Sequence, residues 1–399
     1  MQKFIRLLGL LLFVAAPVFA QRVRDIGEVT INVDKNRVPV RVSASSPELQ
    51  ALALQAFNVH GRYKLVASGF DYDIRFSAAG ATSVRVDITG KGAGATPVAS
   101  EIVPGTNARN ALLRAADFAV VKTNGLGLRG FFASRLGFIL GHGRADEVGT
   151  SDLFFGEAQE ITHDNAHALK PRWSPDGAKL IYTSFYKSGS ADIFLMDLAT
   201  RRRDTFASYR GTNSGARFSP DGRRVAMVLS GSGNSEIYLS GPDGRAPRAI
   251  TKSDKAKSSP CFSPDGSQIV FEMEYAGPQL FVMPATGGIP RRLATGYSWA
   301  TEPDWSRADP NKIACTVRVP GGKFQIAVYD LRKGSAEVVS DAKFDGVEPS
   351  WLPDGRHLVY TARDQSTSVL AILDTESGQS HRISATNLGS VSQASVWAP

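Results

Sequence analysis

The sequence predicts a mostly β protein, a six-bladed β-propeller preceded by a small α/β domain. Three observations predict it. First, a turn-forming tag recurs: Trp173-Ser174-Pro175-Asp176-Gly177, Phe218-Ser219-Pro220-Asp221-Gly222, Phe262-Ser263-Pro264-Asp265-Gly266, a worn copy at Trp305-Ser306, then Trp351-Leu352-Pro353-Asp354-Gly355 and Trp397-Ala398-Pro399. Second, the tag aromatics are 45, 44, 43, 46 and 46 residues apart, the length of one four-stranded blade. Third, residues 21 to about 135 lack the tag and pattern instead as helices on one sheet.

From the N-terminus, Lys3 and Arg6 precede an apolar stretch, Leu7 to Ala16, which is too short to span a bilayer. Val18-Phe19-Ala20 makes a small-residue cleavage site. Residues 1–20 therefore read as a signal peptide cut after Ala20, which implies an exported chain with no membrane span once the signal is cleaved. Gln21 to about Val33 reads as a polar arm with a short strand at Val29 to Val33. Ser46-Pro47-Glu48 is a helix start, with Leu49, Leu52, Ala53, Ala56 and Phe57 following at helical spacing and Gly61 beyond the end. Asp73 to Phe76 and Val84 to Thr89 alternate as half-buried strands. A second helix runs from about Asn107 to Lys122 and stops near Asn124-Gly125.

The propeller is expected over residues 136–399. In each tag, Ser, Pro, Asp and Gly suit the successive positions of a type I turn. A β-rich run follows, as in Lys179 to Ser184, then a third strand such as Asp192 to Asp197. A Leu-Thr-like pair is expected at the end of the fourth, at Ile161-Thr162, Ile250-Thr251 and Ile383-Ser384. The large aromatic should fill the gap between neighbouring blades. Leu136 to Leu140 and Glu147 to Thr150 have no tag before them, and Trp397 has no strand after it. Together they should form one blade that closes the ring.

Composition excludes several classes. An apolar content of 42% and a charged content of 21% describe a globular chain, not a disordered one. The net charge of +8 is spread along the sequence, and Arg201-Arg202-Arg203 and Arg223-Arg224 read as solvated blade edges, not as a nucleic-acid patch. Cys261 and Cys315 sit at different points of their repeats and read as two buried free thiols. Gly125-Leu126-Gly127-Leu128-Arg129-Gly130 fits a dinucleotide pattern but follows a helix instead of opening one, so it reads as an inter-domain turn. His163 and His167 have metal-like spacing with no third ligand, and read as polar loop residues. There is no G-x-S-x-G elbow, and the Asp residues of the tags recur once per blade, as structural residues do. The reading is a monomer that is not an enzyme, with no catalytic residue, cofactor or metal.

Signal segment, small α/β domain and tagged ring together resemble the TolB family of the Tol–Pal envelope system. The likeness is strongest from Leu169 to Asp197, around Pro171-Arg172-Trp173-Ser174-Pro175-Asp176-Gly177, and at Gly130 to Ile139, which is similar to the family's entry into its first blade. The resemblance implies a periplasmic scaffold for envelope integrity and division, whose propeller docks the peptidoglycan-associated lipoprotein Pal. It also implies an N-terminal arm that engages TolA, here Gln21, Arg22, Val23, Arg24, Val29, Ile31 and Val33. The Pal-facing surface would be the loops before each tag: His167 and Lys170; Thr212 and Asn213; Lys257 and Ser258; Trp299, Thr301 and Glu302; Asp345 and Glu348; and Gln393. Two other readings stay open at this stage: a small-molecule or glycan binder at the channel mouth, and a propeller hydrolase or lyase.

Overall fold

The computed structural model describes residues 37–92 and 96–399. The expected signal segment and arm, including Gln21 to Val33, lie outside the described residues. The first unit is a five-stranded sheet with two helices: β1 (Val38–Ala44), α1 (Pro47–Asn58), β2 (Tyr63–Leu65), β3 (Tyr72–Gly80), β4 (Ser83–Gly90), β5 (Pro97–Pro104) and α2 (Ala108–Thr123). The sheet order is β2-β1-β3-β4-β5, with β1 parallel to both its neighbours and the remaining pairs antiparallel.

Both helices start where the sequence asks. The Ser46 hydroxyl accepts the Leu49 N–H at 3.3 Å with Pro47 in the first turn, and the Asn107 side chain accepts the Asn110 N–H at 2.9 Å. Leu52, Ala53, Ala56 and Phe57 of α1 and Leu112, Ala115, Ala116 and Ala119 of α2 bury one stripe. They share a core with Val40, Ile74, Val84, Val86 and Ile88 of the sheet. Asp73 is buried as well, out of phase with the alternation, because Arg41 and Arg75 both bond its carboxylate.

Six four-stranded sheets follow. Their innermost strands are Ala168–Trp173, Asn213–Phe218, Lys257–Phe262, Ala300–Trp305, Asp345–Trp351 and Ser390–Trp397. The last of these pairs with Arg135–Gly141, which continues outward through Asp146–Asp152 and Gln159–Glu160. The ring therefore closes within one blade built from both ends of the domain.

In the tag turns, the Gly177, Gly222 and Gly266 N–H groups each donate to the Ser carbonyl three residues back at 2.9 Å. The Asp carboxylate accepts both the Ser hydroxyl, at 2.5–2.6 Å, and an N–H two residues on. Gly177 has φ +70°, and an added Cβ would meet the Trp397 ring at 2.3 Å, so this turn packs directly on the neighbouring blade. The indole N–H groups cross the same junctions: Trp173 to the Ser395 carbonyl at 3.2 Å, Trp351 to Asp304 at 3.0 Å and Trp397 to Pro175 at 3.0 Å. The Leu-Thr-like pairs lie just past the fourth strands. The Thr162 and Thr251 hydroxyls accept the Val148 and Ile237 N–H groups at 2.9 Å where strand pairing ends. Cys261 and Cys315 are buried free thiols, and burial pushes Cys315 up to about 12.

The two units share one apolar core, in which Phe131 and Phe132 lie with Leu352, Val359 and Leu370. At this junction the His60 ring stacks on Phe131 at 5.1 Å and meets the His357 ring edge-on at 4.8 Å. Both His60 ring nitrogens are buried without a hydrogen-bond partner. Burial, then the neighbouring His357, pushes His60 down to about 3, while the nearby Asp354 works the other way. The folded chain thus holds His60 neutral, whereas an unfolded chain protonates it below about pH 6.5. Its stabilisation is complete above pH 6.5 and is lost as the pH falls towards 3. His60→Phe should therefore gain stability relative to the parent by up to about 1.4 kcal/mol per pH unit below 6.5. Denaturant titrations at pH 7.5 and 5 check this; a stability gap independent of pH contradicts it.

Candidate partner-docking face

Each innermost strand is interrupted by a bulge, marked by a register shift against its neighbour. One residue at each bulge has positive φ: Lys170 (52°), Gly215 (63°), Ser259 (48°), Glu302 (56°), Glu348 (57°) and Gln393 (54°). Pro171, Pro260, Pro303 and Pro349 follow four of them. Proline has no N–H to give to a ladder and is tolerated within a sheet at bulges. Sequence reasoning placed the candidate docking residues in loops. Lys170, Asn213, Lys257, Ser258, Thr301, Glu302, Asp345, Glu348 and Gln393 lie instead within the innermost strands, while His167, Thr212 and Trp299 lie just before them.

The six bulge residues surround the channel and stitch the blades together. The Gln393 side-chain oxygen accepts the Lys170 N–H at 2.7 Å, and the Thr183 hydroxyl accepts the Gly215 N–H at 3.2 Å. Glu272 accepts the Glu302 N–H at 2.6 Å, Glu302 accepts that of Glu348 at 2.9 Å, and Glu348 accepts that of Gln393 at 3.0 Å. At five of the six bulges, all but that of Ser259, the preceding blade accepts the freed backbone N–H. Burial, then the carboxylates of Glu348 and Glu272, pushes Glu302 up to about 7.

Two side chains reach further round the ring. The Lys170 ammonium donates to the Ser259 hydroxyl at 2.9 Å, and the Arg217 guanidinium pairs with Asp304 at 2.9 Å. Each link skips a blade and so crosses the channel. Only about 30 Å³ of free volume remains at this neck. The tag end beyond it faces α2 and the segment after α2, so the bulge end is the face away from the first domain.

The predicted residues divide on burial. His167 and Thr212 are exposed, with His167 paired to Asp146 at 2.6 Å. Trp299 is half-buried, edge-on to Phe324 at 6.1 Å. Thr301 is half-buried, and Ser258 donates to Glu272 at 2.6 Å. Asp345 accepts the Phe324 N–H at 2.9 Å. Asn213 and Lys257 are corrections to the expected surface, because both are buried. Asn213 bonds the Tyr209 and Ala191 carbonyls, and Lys257 pairs with Glu236 at 2.9 Å with both side chains covered. His163 and His167 have different carboxylate partners, Glu160 and Asp146. The predicted residues are not equivalent around the ring, because His167 and Thr212 precede the bulge position that Glu348 and Gln393 occupy. In the closing blade Val396 pairs with Leu136 as Trp173 does with Leu180, so Trp397 stands one residue beyond the place of the other tag aromatics.

Sequence reasoning did not single out Gly215, Ser259, Arg172, Arg217 or Asp304. A position three residues before the tag aromatic, or four before Trp397, followed by Pro or Ala, was the signal available. Among the described residues no helix is long and apolar enough to cross a membrane.

The family model described as the TolB β-propeller domain matches residues 125–399. The Tol-Pal system protein TolB of Bordetella pertussis is 32% identical over 275 residues, which cover 68% of this chain and 61% of that protein. The match thus spans less than two-thirds of that relative's length. The crystal structure of TolB from Acinetobacter baumannii is similar over 93% of this chain and 98% of its own, with a TM-score of 0.79 at 21% identity. A putative TolB from Agrobacterium tumefaciens is similar over 63% of this chain and 88% of its own, with a TM-score of 0.50 at 20% identity. These two structures speak for the fold. Taken with the tags, the six blades and the preceding domain, the family match settles membership: the chain belongs to the TolB β-propeller domain family.

Proposed function

We propose that this chain is a non-enzymatic periplasmic scaffold of a Tol–Pal type envelope system. It docks a Pal-like peptidoglycan-associated lipoprotein on the bulge face of the propeller, and its arm, Gln21 to Val33, engages a TolA-like partner. The observation that carries this reading is the closed neck. Lys170 and Arg217 cross the channel close to its mouth and leave about 30 Å³. A small ligand needs a concave pocket of roughly 300 Å³ or more, whereas a polar ring around a plugged mouth suits a protein surface. The docking residues are then His167, Lys170, Thr212, Ser258, Trp299, Thr301, Glu302, Asp345, Glu348 and Gln393.

The test pairs Trp299→Ala with His167→Glu, because neither side chain is part of the stitching between bulges. Binding of Pal from the same organism is measured by calorimetry, with thermal melts as the folding control. Loss of an anchoring Trp costs about 2 kcal/mol, close to thirtyfold in Kd. Unchanged binding by the folded double variant places docking on another surface.

A further inference from the structure

On the other side of the neck the channel opens into a cavity of about 500 Å³ between the propeller and the first domain. That is the size of a small-ligand site. The tag aromatics Trp173, Phe218, Phe262, Trp305, Trp351 and Trp397 line its propeller side. Five guanidiniums also line it: Arg172 and Arg217 from the channel wall, Arg307 from a tag turn, and Arg114 and Arg129 from the first domain.

The two side-chain carboxylates that line the cavity, Asp117 and Asp304, do not balance them. Asp304 pairs with Arg217 and also accepts the Trp351 N–H at 2.7 Å. Asp117 accepts the Phe132 and Ala133 N–H groups at 2.6 and 3.0 Å, and burial pushes it up to about 7. No carboxylate among the described residues pairs with Arg114, Arg129, Arg172 or Arg307. Among the described residues the Arg172 guanidinium donates to the carbonyl of its neighbour Pro171 alone, at 3.1 Å. Burial and the Arg217 charge lower Arg172 to about 10, which still leaves it charged at neutral pH.

We propose that this cavity is a binding site for a ligand bearing carboxylate or phosphate oxyanions, with Arg172 and Arg217 as the deep contacts and Arg114, Arg129 and Arg307 at the mouth. A guanidinium offers a planar fork of donors that matches either oxyanion two bonds at a time. Walls of aromatic rings lower the local dielectric and strengthen each such contact. The site opens on the side of the neck away from the bulge face, and Arg172 and Arg217 line both sides of that neck.

Four of the five tryptophans line this cavity, and Trp299 does not, so intrinsic fluorescence reports on its occupancy. The full chain is titrated with citrate and, separately, with pyrophosphate, at constant ionic strength set with chloride. The expected result is a saturable change with at least one of them. A response to citrate alone assigns a carboxylate ligand, and a response to pyrophosphate alone assigns a phosphate. Arg172→Gln should weaken it about tenfold or more, as loss of a charge-assisted bond does. Arg307→Gln, an exposed position that should not disturb folding, should weaken it in the same direction. The absence of a saturable change with both anions overturns the proposal, as does a response that Arg172→Gln and Arg307→Gln leave unaltered.

Discussion

Removing Val391 to Pro399 should unfold the propeller, not merely fray one end of it. The segment contains most of an innermost strand, paired along Arg135–Gly141 from Val391 opposite Leu140 to Trp397 opposite Arg135. It also ties two further blades. The Trp173 indole donates to Ser395 and the Trp397 indole to Pro175, while Gln393 accepts the Lys170 N–H and donates its own N–H to Glu348. Val391 and Ala394 are buried. Each such hydrogen bond contributes about 1 kcal/mol, and the side chains add their burial. Together they approach the roughly 5–15 kcal/mol by which a whole domain is stable. The truncated protein should lose its cooperative near-ultraviolet unfolding transition and expose an unpaired strand edge. A melting curve identical to that of the intact chain contradicts this account of ring closure.

Arg356→Ala should cost about 3–5 kcal/mol, the range for removing one partner of a buried ion pair. Arg356 is 2% exposed and bonds Asp374 through two parallel contacts, at 2.8 and 2.7 Å. Burial works against the Asp374 charge, but His357 and Arg356 outweigh it and hold the carboxylate well below its usual range. Without Arg356 that charge stays covered and poorly compensated. The first domain packs on the same carboxylate: Gly61 has φ +50°, and an added Cβ would fall 2.1 Å from an Asp374 oxygen. Arg356→Lys should recover only part of the loss, because an ammonium cannot reproduce the fork. Denaturant unfolding measures both; a loss under about 1 kcal/mol for Arg356→Ala would mean that the pair contributes little.

The parts of this fold that are legible in the sequence have local causes. The tags declare themselves because a type I turn selects Ser, Pro, Asp and Gly at fixed places, and the helices because Ser46 and Asn107 cap them. The closing blade follows from counting strands left without partners. The bulged strands are not legible in the same way. Lys170, Glu302, Glu348 and Gln393 read as loop residues before the tags, and only the ring supplies partners for the N–H groups that their bulges release. Strand β5 hides for a related reason. It is an edge bounded by Pro97 and Pro104, and only Ala99 and Val103, four residues apart, are half-buried, which leaves no alternation. Lys257 looks like a surface residue until Glu236, on a strand of the preceding blade, is seen to cover it. The junction of His60, Arg356 and Asp374 is assembled from distant segments, and no periodicity announces it.

The central claim is that a Pal-like lipoprotein docks on the bulge face. Hydrogen exchange of the full chain, with and without the soluble domain of Pal from the same organism, tests it most directly. The account predicts slowed exchange at 167–170, 212–215, 256–259, 299–302, 345–348 and 390–393, with the first domain unchanged. Protection confined to the first domain or to the tag face, or no protection at saturating Pal, would contradict it.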